Sequence, residues 1–300
     1  MKSPTITSLA LVVALAGFGA CGGDDTDDAP TPKARLPKAQ TSALQLRAAT
    51  LDDGTTRNYS VFEPEGKPTA AVFVLDSYSP TLGDARRPRG ILVEAAKQAG
   101  FLVVIPNGID DTWNIGPCCG SARLQQSKDV DYLVAVVDDI WETYKIGPDD
   151  RAVVGWAVGG IMAFHLACQH SDLFGAVAVV EGVLVTKPCE PVTGVDLLQI
   201  HQLGDATIRW GGTKAAVLLS DGPLPQVDRA FDRWLVAQRC NKPVVATEGK
   251  VTTTTASCRG KSVSLLIAIE GGNGEWPTGD SVPIDATERV LAFFDLPSGS

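Results

Sequence analysis

Beyond residue 56 the chain alternates short apolar runs with longer stretches in which apolar and polar residues recur at helical spacing. That alternation is the pattern of strands joined by crossover helices around a largely parallel sheet. It predicts strands over 59–63, 70–75, 101–105, 152–155, 176–180, 197–203 and 263–269, and helices over 91–98, 130–144, 160–170, 226–237 and 286–294. Turn chemistry punctuates the runs at Pro106-Asn107-Gly108, Gly147-Pro148-Asp149-Asp150 and Gly271-Gly272. No internal repeat and no second set of strands suggests a further domain. The expected fold class is α/β, a single domain with helices on both faces of the sheet.

The first residues follow a different pattern. Met1 and Lys2 precede an uncharged apolar run over 9–18 and small residues up to Cys21. This reads as a signal peptide over 1–20. The run is too short to favour a membrane-spanning helix, which needs about 20 predominantly apolar residues. Phe18-Gly19-Ala20-Cys21 resembles the bacterial lipobox, which implies lipidation of Cys21 as the mature N-terminus; simple secretion with cleavage near Ala20 is the alternative. The acidic, proline-containing stretch that follows is too polar to fold and reads as a tether over 21–45, leaving 46–300 for the domain. Gly22 stands where an aspartate would signal inner-membrane retention. The expected location is therefore the cell envelope, in the periplasm or at the surface, and the outer membrane where one exists. The membrane is the expected partner of the lipid.

Composition narrows the chemistry. A formal charge of −9 without a Lys/Arg cluster argues against nucleic-acid binding. Besides Cys21 the chain has six cysteines: Cys118, Cys119, Cys168, Cys189, Cys240 and Cys258. An even number in an exported chain suggests disulfides. Proximity favours Cys240 with Cys258 and Cys168 with Cys189, leaving Cys118 and Cys119 as an adjacent pair. There are only three histidines, none at zinc-site spacing from a cysteine pair, so neither a metal nor a cofactor is expected.

Several segments carry a more specific likeness: Gly100-Phe101-Leu102-Val103-Val104-Ile105-Pro106, Thr112-Trp113-Asn114 with Cys118-Cys119-Gly120, Asp149-Asp150-Arg151 leading into Gly155, and Gly271-Gly272 with Trp276-Pro277. In this order and spacing they resemble the secreted polyhydroxybutyrate-depolymerase and feruloyl-esterase-like family of α/β hydrolases. The resemblance covers about residues 56–295 and implies carboxylic-ester hydrolysis by a serine, aspartate and histidine. The nucleophile of this fold sits in a G-x-S-x-G turn between strand and helix. Here the turn reads Gly155-Trp156-Ala157-Val158-Gly159, with alanine at the nucleophile position. A methyl group cannot form an acyl-enzyme. The acid carries over as Asp205, in His201-Gln202-Leu203-Gly204-Asp205. The histidine position, before Trp276-Pro277, is Gly274, and no histidine follows His201 anywhere in the chain. The oxyanion-hole segment, Leu-His-Gly in the family, reads Leu75-Asp76-Ser77, where Asp76 would bring negative charge to a site meant to stabilise an oxyanion.

The resemblance thus implies a scaffold without its reaction: a catalytically inactive homologue whose former cleft, lined by Asp76, Ser77, Trp113, Trp156, Val158, Glu275 and Trp276, binds an ester polymer, a glycan or a protein. Trp210 joins the aromatic loops near the mouth, although packing is the plainer role for Trp276 in particular. The alternative is an active carboxylic-ester hydrolase with a rearranged site, for which Ser77 and then Ser121 are the nearest hydroxyls. His165 falls on the helix after the elbow, where packing or solvent contact is the plainer role, and His170 ends that helix, where a cation is favoured. Asp76, Asp205 and Glu275 could converge on a cation. The simpler expectation is that Asp205 bonds its own loop and Glu275 is solvated.

Overall fold

The computed structural model of the chain describes residues 44–77, 87–186, 189, 194–280 and 282–297. The signal peptide, Cys21 and all but the end of the tether lie outside them. The chain divides into Met1–Gln40 and Thr41–Ser300, and every described residue belongs to the second unit.

That unit is built on one ten-stranded sheet. Its strands are β1 (Gln45–Thr50), β2 (Thr56–Phe62), β3 (Ala71–Leu75), β4 (Leu102–Pro106), β5 (Arg151–Trp156), β6 (Ala176–Val180), β7 (Asp196–Gln202), β8 (Val244–Glu248), β9 (Val251–Ser257) and β10 (Val263–Ile269). They lie in the order β1-β2-β4-β3-β5-β6-β7-β10-β9-β8. The central strands β4, β3, β5, β6, β7 and β10 are mutually parallel, and antiparallel strands extend the sheet at both edges. The helices are α1 (Pro88–Ala99), α2 (Gly120–Leu124), α3 (Asp129–Tyr144), α4 (Val158–Gln169), α5 (Val227–Ala237) and α6 (Ala286–Phe293). One core cluster packs α3, α4 and α5 against one face of the sheet; a second packs α1 and α6 against the other. This is the α/β-hydrolase architecture.

The central strands are apolar almost throughout because both of their faces are covered. β3, β4 and β5 have no exposed residue. α4 is likewise buried nearly all round, as expected for a helix lying over the middle of the sheet. The hydrophobic pattern did not reveal β1, β8 or β9. β8 is exposed along its whole length and β9 is largely threonine, so these strands form through the ladder and β-branched propensity rather than through an apolar face. The short α2 was also missed.

Three disulfides join the pairs that proximity suggested: Cys118–Cys119, Cys168–Cys189 and Cys240–Cys258. The last spans 18 positions and ties the end of α5 to the end of β9. Replacing both of its cysteines with alanine should lower stability by about 3 kcal/mol through loop entropy in the unfolded chain, measurable by urea unfolding.

Candidate active site

β5 delivers the chain into a sharp turn at Ala157, from which α4 departs. Ala157 has φ 50° and ψ −114°, a conformation that costs an L-residue energy and that the surroundings must hold. The Ala157 N–H donates to the Val180 carbonyl at 2.9 Å, and the Ala157 carbonyl accepts from Ile161 N–H at 3.0 Å. Gly159 permits the turn because α4 passes so close to β3 that a Cβ there would overlap the Leu75 carbonyl oxygen. The turn therefore keeps the geometry of a nucleophile elbow around a methyl group.

The backbone N–H of Val158, just after the turn, and that of Ser77, just after β3, are both engaged. Val158 N–H faces the Ser77 hydroxyl oxygen at 3.4 Å, and Ser77 N–H donates to Asp76 Oδ1 at 2.9 Å. The negative charge that Asp76 brings here is compensated. Its Oδ2 lies 3.2 Å from Arg87 Nε and 3.3 Å from Arg89 Nε, and both guanidinium groups also meet Asp111. Burial still raises the Asp76 pKa, against the pull of Arg87. The sequence does not pair these arginines with Asp76, because some ten residues separate them along the chain.

On the acid side, Asp205 follows β7 and its Oδ1 accepts from Thr207 N–H at 2.7 Å and Ile208 N–H at 3.0 Å. Gly274, at φ 85°, lies directly against this carboxyl group: a Cβ on it would be 2.7 Å from Asp205 Cγ and 2.9 Å from each oxygen. The segment is pinned there. Trp156 Nε1–H donates to the Gly274 carbonyl at 3.1 Å, Gln202 Nε2–H to the Glu275 carbonyl at 2.6 Å, and Asn273 N–H to Gln202 Oε1 at 3.1 Å. A side chain at this position would start against the Asp205 carboxyl group.

The three carboxylates that were candidates for a shared cation do not converge. Asp76 is held by arginines, Asp205 by its own loop, and Glu275 is exposed. Instead Asp205 is grouped with two residues the sequence reading did not select for this role, Glu181 and His201, all three buried. Glu181 accepts from Gln202 N–H at 3.0 Å and from Gln202 Nε2–H at 2.9 Å, and burial raises its pKa to about 8. His201 Nε2 lies 2.7 Å from the Ile208 carbonyl, and burial lowers its pKa. A signal for Glu181 was available: an acid directly after a buried strand, at the carboxyl end of the sheet where this fold places its ligands.

The aromatic residues expected to line a cleft are also corrected in part. Trp113, Trp156 and Trp276 are only 1%, 4% and 4% exposed. Their indole N–H groups serve internal acceptors: the Asp76 carbonyl, the Gly274 carbonyl and Thr287 Oγ1. They are packing residues behind the site. Val158 and Ser77 are buried beneath it, while Trp210 retains partial exposure. Ser121 lies in the first turn of α2, and among the described residues neither it nor Ser77 hydrogen-bonds to a histidine.

His165 lies in the second half of α4 and His170 just after its last residue, their rings 6.4 Å apart. Burial lowers the His165 pKa from 6.5 to about 4, and His170 pushes it the same way. The unfolded chain therefore binds a proton more readily, so this contribution to stability is intact above pH 6.5 and lost as the pH falls toward 4. His165→Leu should flatten this acid-side decline, read by urea unfolding at neutral and at mildly acidic pH.

Residues 53–267 match the family described as "Putative esterase". "Putative esterase NocK" of Nocardia uniformis is 29% identical over 296 residues, covering 88% of this chain and 84% of that protein. "Feruloyl esterase C" of Emericella nidulans is 26% identical over 244 residues, covering 77% of this chain and 82% of that protein. Among solved structures, the acetyl xylan esterase from Aspergillus awamori superposes with a TM-score of 0.57 at 16% identity, over 84% of this chain and 99% of that one.

Proposed function

The chain belongs to the Esterase family, and on that premise we propose that it is a non-catalytic member which binds, rather than cleaves, an ester-bearing polymer or glycan in its former cleft. The observation that carries this reading is Ala157 at the elbow. No acyl-enzyme can form on its methyl group. Three features support it: the Val158 and Ser77 N–H groups are engaged, Asp205 serves its own loop, and a side chain at Gly274 would start against the Asp205 carboxyl group. The class of ligand is suggested by the relatives named feruloyl esterase and acetyl xylan esterase. We place the protein outside the cytoplasm, anchored through lipid on Cys21, because the leader pattern and three disulfides both fit an oxidising compartment.

The rival reading is a carboxylic-ester hydrolase with Ser77 as a rebuilt nucleophile. Ser77 presents the hydroxyl nearest the elbow, but it accepts from Val158 N–H and has no imidazole to take its proton. Assays of the purified chain on p-nitrophenyl and feruloyl esters decide between them. The expected result is no turnover above that of the heat-denatured protein, unchanged in Ser77→Ala. Saturable hydrolysis abolished by Ser77→Ala would overturn the proposal.

A further inference from the structure

We propose that Glu181, His201 and Asp205 form a buried binding site for one divalent transition-metal cation of the zinc type. The three residues lie at the carboxyl ends of β6 and β7, and each offers a ligand atom within 4.8 Å of the others. Their orientations are already fixed from outside. The His201 Nε2–H donates to the Ile208 carbonyl, which fixes the tautomer and leaves the Nδ1 lone pair facing Glu181. Gln202 holds the Glu181 carboxylate, and the Thr207 and Ile208 N–H groups hold Asp205 by Oδ1, leaving Oδ2. This is the arrangement of outer partners that orients metal ligands in proteins: the histidine donates its second N–H to a carbonyl, and the carboxylates are themselves hydrogen-bonded.

The spacing points the same way. His201 is fully buried, its Nδ1 makes no hydrogen bond of normal geometry although the Gly182 backbone lies near, and Nδ1 stands 3.8 Å from Glu181 Oε2. That separation is too long for a hydrogen bond but suits two ligands that each reach a common ion at about 2.1 Å. Among the described residues no Lys or Arg pairs with Glu181 or Asp205, and the basic group beside Glu181 is His201. A second orphaned acceptor, Gln199 Oε1, lies on the same face of β7 two residues before His201, and its amide donates to the carbonyl of Gly182, next to Glu181. One imidazole with carboxylate oxygens is a donor set for zinc and its first-row neighbours rather than for calcium or magnesium.

Because the site is buried, the ion must enter during folding. The test is to unfold the full chain in urea with its disulfides intact, refold it with ZnCl2 or with EDTA, desalt, and measure zinc content and thermal midpoint. The expected result is about one equivalent of zinc retained and a midpoint raised by roughly 5 °C or more over the EDTA sample. Glu181→Gln and His201→Gln should each lose both. Retention of the full equivalent by folded variants would assign the zinc elsewhere, for instance to His165 and His170, and would overturn the proposal. Should the variants not fold, the wild-type chain decides alone: cobalt refolded in place of zinc should give the visible absorption of a nitrogen–oxygen site of low coordination number. Refolded wild-type protein that holds no zinc and shows no shift would also overturn it.

Discussion

On the proposed non-catalytic reading, Ala157→Ser combined with Gly274→His is expected to leave ester hydrolysis at background. Ala157 already has the elbow conformation, so a serine fits there. The histidine does not. At Gly274 a side chain would begin 2.7 Å from the Asp205 carboxyl carbon, on a backbone with φ 85° that L-residues rarely adopt. Gly274→His must therefore displace either the Asp205 carboxyl group from the Thr207 and Ile208 N–H groups or the 271–275 segment from the bonds of Trp156, Gln202 and Asn273 that hold it. A serine without its base gains little: in a protease with the same triad logic, losing the histidine alone costs about 10⁶ in turnover. The oxyanion side is no better, since the Val158 and Ser77 N–H groups are already engaged. The expected reading is no p-nitrophenyl butyrate hydrolysis by Ala157→Ser alone or by the double variant, with reduced stability in the double variant. Appreciable turnover would mean that the site accommodates the histidine.

The largest loss of stability is expected from Gly159→Ala. The added methyl overlaps the carbonyl of Leu75, backbone on both sides, so no flexible side chain can give way. Relief requires moving the start of α4 away from β3, in the middle of the core that holds the three main helices of that face. The cost should be about 3 kcal/mol or more, at the upper end for overpacked cores, and visible as a lower urea midpoint or as insoluble protein. Gly222→Ala is the control. A Cβ there meets nothing within 4 Å and its backbone is ordinary, so stability should stay within about 0.5 kcal/mol.

What could be read from the sequence follows from which interactions are local. The parallel core was legible because strands covered on both faces, such as Ala71–Leu75 and Ala176–Val180, must be apolar along their length. β8 and β9 were not, because Val244 and Val245 stand 70% and 60% exposed and a threonine run shows no buried face. In the site, Ala157, Asp205 and Gly274 could be placed by motif and order alone. Their consequences could not. That Gly274 rests on the Asp205 carboxyl group, that Arg87 and Arg89 neutralise Asp76, and that Ser77 turns its hydroxyl to Val158 are contacts between loops distant in sequence. The tryptophans show the opposite error: residues that border an active site in sequence motifs are here mostly wedged behind it.

The central claim, that this esterase scaffold carries no usable nucleophile, is tested most directly by incubating the folded protein with a fluorophosphonate probe and mapping any adduct by mass spectrometry. The account predicts no adduct on any serine, Ser77 and Ser121 included, under conditions that label an active serine esterase to completion. A stoichiometric adduct on a serine of the folded protein, absent when the protein is unfolded before labelling, would contradict it.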